Sequence, residues 1–244
     1  MCNHASNVAT IQELIDRYEL DQENEPEIQP IHHSIAFAYS AFPIITQSDP
    51  VHLQLYNWGL IPSWAKPADA LQKRSGTVNA RLESAFDLAS FKTPIRSQRC
   101  IVPLTGFYEA QEVGKEKVPY FIHLRDEPIF SVAGLYEHWS DNSTGVEYKT
   151  FTMVTTEANE LMAEIHNTKK RMPIILTREN EKNWLNPDLS QVEIEEFAKP
   201  ISSDLMDAYK IGKLLYHGRT HNTNTPEVYK RLPDTPDFPK DLFS

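Results

Sequence analysis

The segment from residue 99 to residue 155 restricts the possible folds more than any other part of this 244-residue chain. It contains successive runs rich in β-branched and aromatic residues, which are typical of strands. The runs are Arg99–Pro103, Gly106–Gln111, Pro119–Leu124, Ile129–Leu135 and Lys149–Thr155. The sequence DNSTG at residues 141–145 is a strong hairpin-turn signal. Because these strands follow one another without intervening helices, they exclude a regular strand–helix alternation and predict an antiparallel sheet.

Strand-like runs also precede this segment, and short amphipathic helices surround it. Further strands are predicted over residues 34–39, 42–46 and 52–58. They are followed over 62–76 by an irregular loop that allows a helical turn. A helix is predicted over residues 8–20, where Thr10 and Glu13 match a capping box. Other helices are predicted over 157–164, 178–185 and 192–198.

These elements predict one α+β domain over residues 1–244. Its centre is expected to be a curved, barrel-like and mainly antiparallel sheet with peripheral helices. The segment 231–244 contains three prolines and is predicted to be a peripheral tail.

The composition excludes several classes of protein. Cys2 and Cys100 are the two cysteines, so a disulfide framework is not expected. The sequence has neither a CxxC pair nor an HExxH motif, and we expect neither a metal nor a cofactor. The beginning of the chain lacks the basic start and apolar run of a signal peptide, and no stretch approaches the roughly 20 apolar residues of a membrane span. We therefore expect a cytoplasmic monomer without an obligate protein partner, whose thiols stay reduced.

The net charge of −10 is unevenly distributed along the chain. Residues 1–30 carry seven acidic residues and one arginine, whereas residues 66–99 carry seven bases and three acids. A second basic run is Lys169-Lys170-Arg171. A globally acidic protein can still present a local basic cleft to phosphates. Charge alone leaves open whether these runs bind nucleic acid or are simply solvated surface.

Cys2 carries an unusual chemical possibility. A small residue at position 2 permits removal of Met1, which leaves a 1,2-aminothiol at the new terminus. The α-amine, with a pKa of about 7.7–8.0, can condense with an aldehyde, and the thiol can then close a five-membered ring on the same carbon. The alternative is that Cys2 is a terminal residue without a function.

Trp58 and Trp64 occur in the motif WGLIPSW. Trp58 is interpreted as a core residue, whereas Trp64 lies in a polar loop and is suited to stacking on unpaired bases. Two residues apart in an extended segment, Asn79 and Arg81 share one face. Arg81 is suited to phosphate binding, with a surface pair to Glu83 as the alternative.

Glu109 and His166 are candidate acid–base residues. Glu109 shares a strand face with Phe107, so it is either a paired structural carboxylate or a functional group with a raised pKa. Cys100, in an apolar strand, is interpreted as an inert core thiol. His166 follows a predicted helix at the start of a basic loop. It is either a proton shuttle near neutral pH or a plain capping residue.

Taken in order, these motifs closely resemble the SOS-response-associated peptidase family, whose members act at abasic sites in DNA. The matching features are Cys at position 2, WGLIPSWA, NARLES, RCIVPLTGFYEA and EIHNTKKRMPIIL. They run from Cys2 to about Leu176, with a weaker similarity at 222–227. The resemblance implies a single β-rich domain with a basic cleft for single-stranded DNA.

The resemblance also implies a role for particular residues. Cys2 corresponds to the crosslinking residue, and Asn79 would orient its amine or the opened sugar. Glu109 and His166 would move protons during ring opening and Schiff-base formation. We therefore assign catalytic roles to Cys2, Asn79, Glu109 and His166, and DNA contacts to Arg81, Trp64, Lys169, Arg171 and His4.

Two positions depart from the family's pattern. Members often begin Met-Cys-Gly-Arg, whereas this chain has Asn3 and His4, so His4 replaces a phosphate-binding arginine only in part. Members also often carry tryptophan after the glutamate, where this chain has Ala110. A tryptophan-sized part of that wall is therefore expected to be absent.

Three functions remain to be compared. The first is an abasic-site processing enzyme that forms a thiazolidine crosslink through Cys2, with accompanying AP-lyase activity from the Schiff-base stage. The second is a cysteine-type peptidase or autopeptidase, in which Cys2 attacks an acyl carbon and His166 is the base. No motif supplies an oxyanion hole, which ranks this function lower. The third is a module that shields single-stranded DNA without chemistry.

Overall fold

The computed structural model describes residues 2–23, 26–218 and 220–233. Its strands are β1 (His4–Asn7), β2 (Ile31–Ile35), β3 (Ala41–Thr46), β4 (Asp49–Trp58), β5 (Asn79–Arg81), β6 (Arg99–Leu104), β7 (Gly106–Val113), β8 (Glu116–Leu124), β9 (Phe130–Asp141), β10 (Val146–Glu157), β11 (Arg171–Pro173), β12 (Ile175–Leu176) and β13 (Met206–Lys210). Its α-helices are α1 (Ile11–Tyr18), α2 (Pro67–Lys73), α3 (Leu82–Ala85), α4 (Pro94–Ser97), α5 (Glu160–Ile165), α6 (Arg178–Trp184) and α7 (Gln191–Glu195).

Five strands form a closed ring in the order β10, β4, β3, β6, β9 and back to β10. The β9–β10 hairpin supplies the longest antiparallel pairing, and the turn at 141–145 joins its strands. The ring closes where β10 runs parallel to β4, with Thr150 opposite Asn57. Strands β5, β11 and β12 extend this sheet. The expectation of a single β-rich domain with a barrel-like, mainly antiparallel sheet is therefore confirmed.

A second sheet has the strand order β13, β8, β7, β1 and β2. It shares chain with the barrel, because β7 begins two residues after β6 ends. Gly106 lies at this transition, and a Cβ atom there would come within 2.1 Å of the Phe121 ring. Only glycine permits this close approach. In the second sheet β1 lies between β7 and β2, with His4 opposite Tyr108 and Ala5 opposite Phe107.

The main core lies between the two sheets and is rich in aromatic residues. Trp58, Phe42 and Phe151 are completely buried and pack against one another. The Trp58 indole nitrogen donates to the Val78 carbonyl. Cys100 is buried in the same cluster. The core interpretation of Trp58 and Cys100 is thus confirmed.

Several predicted boundaries shift for identifiable reasons. The capping box at Thr10 is confirmed, and its helix is α1. The strand predicted over 34–39 was wrong in part, because the chain leaves β2 for a 3₁₀ turn at Ala36–Ala38. The amide of Ala36 donates there to the Asn3 carbonyl. Helix α5 begins later than predicted, since β10 continues to residue 157 and the Asn159 side chain caps the helix.

Residues 231–233 of the predicted tail lie against the second sheet, where the Leu232 amide donates to the Lys210 carbonyl. The rest of that prediction, over 234–244, lies outside the described residues. Among the helices that the structure describes, none is both long and apolar enough to cross a membrane.

Candidate functional site

Cys2 lies two residues before the start of β1 and is 1% exposed. Its Sγ atom is 3.7 Å from the His4 carbonyl oxygen. Because His4 is opposite Tyr108, continuing the antiparallel register places Asn3 opposite Glu109. Burial raises the pKa of the Cys2 thiol, and the nearby negative charge of Glu109 raises it further. The thiol is therefore protonated at neutral pH.

Glu109 lies on β7, and its side chain is 12% exposed. Burial raises the pKa of its carboxyl to about 7, although the Ala110 amide and the Lys169 charge act in the opposite direction. A carboxyl with this pKa is present in both protonation states near neutral pH. It can therefore both donate and accept a proton.

His166 directly follows α5, and its ring is held by the loop that leads into β11. Its Nδ1 lies 2.9 Å from the Arg171 carbonyl oxygen. Since a carbonyl only accepts, Nδ1 carries the proton, and Nε2 is the basic nitrogen of the neutral ring. Burial lowers the pKa of His166, against the opposing effect of that hydrogen bond.

The His166 loop is fastened to the Glu109 strand by two reciprocal hydrogen bonds. The Asn167 side chain accepts from the Glu112 amide at 3.0 Å and donates to the Glu112 carbonyl at 2.9 Å. This pairing brings His166 Nδ1 within 4.0 Å of Glu109 Oε1. Both groups are thus fixed relative to Cys2 through strand pairing rather than through neighbouring sequence.

Asn79 lies on β5 and contacts the residue that follows Cys2. It is 7% exposed, and its Nδ2 atom donates to Asn3 Oδ1 at 3.0 Å. Within the described part of the chain, its buried Oδ1 accepts no hydrogen bond. An unsatisfied buried acceptor is costly and is characteristic of a position that a ligand or reacting group completes.

A cleft of about 200 Å³ lies beside these residues, and Asn3 lines it. Glu109, His166 and His4 line it together with Lys169, which is exposed. Ala110 also lines the cleft, as do Leu215 and Tyr216. Tyr216 is 42% exposed and comes from the 3₁₀ turn at Lys213–Tyr216. An aromatic side chain from another element therefore lines the same cleft as the small side chain of Ala110.

The residues assigned to DNA occupy different environments. Arg81 is exposed two positions after Asn79, on the strand that leads away from the cleft. Trp64 is 50% exposed, donates through its indole nitrogen to the Ala89 carbonyl and has Lys73 5.4 Å above its ring. Trp64 does not line the cleft itself.

Arg171 has a structural environment. It is 7% exposed, and its guanidinium donates to both carboxylate oxygens of Glu83 and to Thr155. Phosphate binding would require this pair to break. The partner of Glu83 is thus Arg171 rather than Arg81. Two further bases of the 66–99 segment, Arg74 and Arg99, are buried with their guanidinium groups donating to backbone carbonyls.

His4 is also committed to a partner, because its Nδ1 lies 2.8 Å from His33 Nε2. Three residues were not identified from the sequence: His33, Tyr216 and Thr223, whose hydroxyl contacts His33. No motif marks them, and the C-terminal similarity near residue 222 was the sole signal. Throughout the three described ranges, no group of three or more His, Cys, Asp or Glu side chains is arranged to hold a metal ion.

The chain belongs to the SOS response associated peptidase (SRAP) family, whose model matches residues 1–217. It is 36% identical over 231 residues to the abasic site processing protein YoqW of Bacillus subtilis (strain 168), covering 93% of this chain and 98% of that protein. It is 32% identical over 164 residues to the abasic site processing protein HMCES of Gallus gallus, covering 59% of this chain and 47% of that protein.

Solved structures agree with this membership. A crystal structure of a protein from Bacteroides thetaiotaomicron is 42% identical, with a TM-score of 0.87, and the match covers 95% of this chain and 100% of that one. A protein from Bordetella bronchiseptica, 24% identical over 86% of this chain and 100% of its own, shares the fold with a TM-score of 0.72.

Proposed function

We propose that this protein processes abasic sites in single-stranded DNA and forms a thiazolidine crosslink to them through Cys2 once Met1 has been removed. The observation that carries the proposal is that residues from different parts of the chain meet around Cys2. Glu109 and His166 line one cleft, the charge of Glu109 acts on the Cys2 thiol, and Asn79 donates to Asn3, the residue that follows Cys2. Family membership supports it, because relatives are named abasic site processing proteins.

The chemistry begins with the ring-closed sugar of the abasic site. Opening it to the aldehyde removes a proton from the C1′ hydroxyl and adds one to the ring oxygen. In this proposal Nε2 of His166 and the Glu109 carboxyl exchange these protons. A group that titrates near pH 7 is suited to both transfers.

The Cys2 amine then attacks the aldehyde carbon. The carbinolamine hydroxyl takes a proton from Glu109 and leaves as water. The product is a protonated Schiff base. The orphaned Oδ1 of Asn79 is suited to accept a hydrogen bond from the amine and hold its lone pair toward the carbon. The Schiff base also permits β-elimination, which gives the AP-lyase activity that accompanies this proposal.

Closure of the ring uses the thiol. The carboxylate that Glu109 became in the dehydration accepts and keeps the Cys2 thiol proton. Sulfur bonds to the carbon of the protonated Schiff base, and the electron pair of the C=N bond returns to nitrogen, which keeps the proton that it already carries. Because the resting thiol is buried and protonated, it depends on this neighbouring base. The net change is the union of aldehyde and aminothiol with loss of one water.

The strand of DNA is expected to follow the exposed cations around the cleft. Lys169 lines the cleft, and Arg81 and Trp64 offer a phosphate contact and a stacking surface farther out. The cleft is too small for a duplex to enter, which favours a single strand with its sugar turned inward.

Intact-mass measurement tests the proposal. Mature protein is incubated with a single-stranded oligonucleotide that carries one abasic site, and we expect a stable adduct equal to both masses less one water. Cys2→Ala and a protein that keeps Met1 should form no stable adduct. Cys100→Ala, which removes the other thiol, is the matched control and should crosslink normally. A stable adduct in the Met1-retaining protein, no adduct in the mature protein, or peptide cleavage instead would each overturn the proposal.

A further inference from the structure

His4 and His33 meet edge to edge. Their nearest nitrogens, His4 Nδ1 and His33 Nε2, are 2.8 Å apart, the ring planes differ by 9°, and the centroids are separated by 5.1 Å. Parallel planes at this centroid distance place the two nitrogens on the line that joins the rings. The contact is therefore an in-plane N–H···N hydrogen bond rather than a face-to-face stack.

The chain of hydrogen bonds continues beyond His33. Its Nδ1 lies 2.8 Å from the Thr223 hydroxyl oxygen. Thr223 belongs to residues 220–233, which we call the C-terminal strap. The next residue of the strap, Asn224, accepts through Oδ1 from the backbone amides of His32 and His33 at 2.7 and 3.2 Å. These contacts fix the strap against β2 and hold the Thr223 hydroxyl on the histidine.

The strap lies almost wholly beyond the part of the chain that the family model matches, which ends at residue 217. His4, in contrast, lines the cleft beside Glu109. Two consecutive hydrogen bonds thus connect the cleft to a segment outside the matched region. This connection depends on His4, the position at which the chain departs from the family's common Gly-Arg sequence.

We propose that Thr223, His33 and His4 form a hydrogen-bonded relay that sets the protonation of His4 Nε2 in the cleft and exchanges protons there with the strap. This inference rests on the proposed function and deepens it. It makes His4 a proton-transfer group rather than a cation for phosphate. His33 and Thr223 are positioning residues that act through it.

The hydrogen bonds of the relay can point in either of two directions. In each direction, every hydrogen bond contains one proton. In the first, the Thr223 hydroxyl donates to His33 Nδ1, His33 Nε2–H donates to His4 Nδ1, and His4 Nε2–H faces outward as a donor. In the second, His4 Nδ1–H donates to His33, His33 Nδ1–H donates to the Thr223 oxygen, and His4 Nε2 becomes an acceptor.

Reversing the direction moves a proton without leaving a charged imidazole behind. When His4 Nε2 takes a proton from a reacting hydroxyl, its Nδ1 proton passes to His33, and the His33 Nδ1 proton passes to Thr223. The threonine hydroxyl, which is partly exposed, releases its own proton to water. The reverse sequence delivers a proton to the cleft, so atoms and charge balance in both directions.

The surroundings favour such neutral transfer. Burial lowers the pKa of His4 to about 4 and that of His33 to about 3. Tyr108 meets the His33 ring edge-on, with ring centroids 5.3 Å apart, and the two histidines contact each other directly. A static imidazolium is therefore unfavourable at neutral pH, whereas a concerted shift along the relay creates none.

The test uses the hydroxyl at the end of the relay. Thr223→Val removes it at nearly constant shape, Thr223→Ser keeps it, and Thr220→Val is the matched control, because its hydroxyl contacts His217 and His221 instead. Imidazole ¹⁵N shifts of His4 and His33 are measured in each full-length mature protein. The crosslinking rate and its solvent isotope effect are measured with abasic single-stranded DNA.

We expect Thr223→Val to change the tautomer populations of both histidines and to slow crosslinking roughly 10-fold, below the 10²–10⁴-fold range of a primary acid–base group. The solvent isotope effect should change, and Thr223→Ser should restore both readouts. Unchanged ¹⁵N shifts in Thr223→Val, or an equal effect in Thr223→Ser, would overturn the relay. Absence of any adduct in the unaltered protein would overturn the proposed function instead, and the shifts would still decide the relay.

Discussion

The Glu109 carboxylate lies 4.0 Å from the Nδ1 atom of His166, although one residue belongs to β7 and the other follows α5. The contact exists because the Asn167 side chain pairs with the Glu112 backbone and fastens the loop to the strand. A carboxyl whose pKa is raised by burial and an imidazole whose pKa is lowered by burial are thereby held together at the cleft.

Both groups should matter more for ring opening than for later steps. We expect Glu109→Gln and His166→Ala to slow crosslinking to abasic DNA by about 10²–10⁴-fold. A simple open-chain aldehyde needs no ring opening, so both variants should lose less of their rate with that substrate. Rate measurements on the two substrates, with melting temperatures as the control for folding, distinguish this from a structural role. Equal losses on both substrates together with a lowered melting temperature would contradict it.

The raised pKa that suits Glu109 to proton transfer should also lower the stability of the fold as the pH rises. Its pKa in the folded protein is raised to about 7, so the folded state binds a proton more tightly than the unfolded state does. The stability from this group is full below about pH 4.5 and is lost as the pH rises through about 7. In protein that keeps Met1, Glu109→Gln should therefore increase the free energy of unfolding by about 1–3 kcal/mol at pH 8 and have little effect at pH 4.

Urea denaturation at both pH values measures this difference. Glu112→Gln, a change at an exposed position on the same strand, serves as the control and should show no such pH-dependent gain. If Glu109→Gln stabilises the protein equally at pH 4 and pH 8, its effect does not come from the buried charge.

The two histidines of the relay should make the fold sensitive to acid. Their folded-state pKa values are lowered to about 4 and about 3, whereas an unfolded histidine titrates near 6.5. Below about pH 6.5 the unfolded chain binds protons that the folded chain excludes, so stability falls as the pH decreases toward 4. Each histidine contributes a slope of about 1.4 kcal/mol per pH unit.

His33→Gln should reduce that slope by about one proton between pH 6 and pH 4.5, as measured by chemical denaturation at several pH values. His221→Gln changes an exposed imidazole of the strap and is the control. An unchanged slope in His33→Gln would show that His33 does not stay neutral in the folded protein.

Arg81 and Arg171 should separate binding from stability. Arg81→Ala removes an exposed cation, so affinity for single-stranded DNA should fall and its salt dependence should flatten by about one ion. Arg171→Ala leaves Glu83 and Thr155 without their buried partner and should cost about 1–3 kcal/mol of stability. Titrations at several salt concentrations and denaturation curves measure the two effects. If Arg171→Ala flattens the salt dependence at unchanged stability, its ion pair opens to bind phosphate.

Tyr216 should provide the aromatic surface that Ala110 lacks. Tyr216→Ala should weaken binding of abasic DNA by about 1–3 kcal/mol, the range of one base-stacking contact, while Tyr216→Phe should not. The rate with a small aldehyde should be unchanged. The double variant Ala110→Trp with Tyr216→Ala should recover affinity, because both residues line the same cleft. No recovery would indicate that the phenol acts in another way.

Local patterns predicted the parts of the fold that local forces determine. The capping box of α1 and the strands between residues 99 and 155 were predictable, because capping and alternating burial are written in adjacent residues. The parallel pairing of β4 with β10 was not, since periodicity tells which face of a strand is buried and not which strand lies beside it.

The same limit applies to the site. Cys2, Asn79, Glu109 and His166 were identifiable by motif. The contacts from Asn3 to Asn79 and from His33 to Thr223 were not predictable, because they join residues that are distant in the sequence. The basic run at 169–171 shows the same limit. Sequence cannot distinguish an exposed Lys169 from an Arg171 that is buried on Glu83.

Strand β2 forms an outer edge of the second sheet, and the side chain of Asn224 occupies two of its backbone amides. An uncovered edge strand is a template to which another chain can add a strand. The Asn224 side chain therefore occupies part of the edge at which such a strand would pair. We expect chains that end before the strap, through proteolysis or a premature stop, to present this edge to one another and self-associate. The first sign of such truncation would be a loss of solubility.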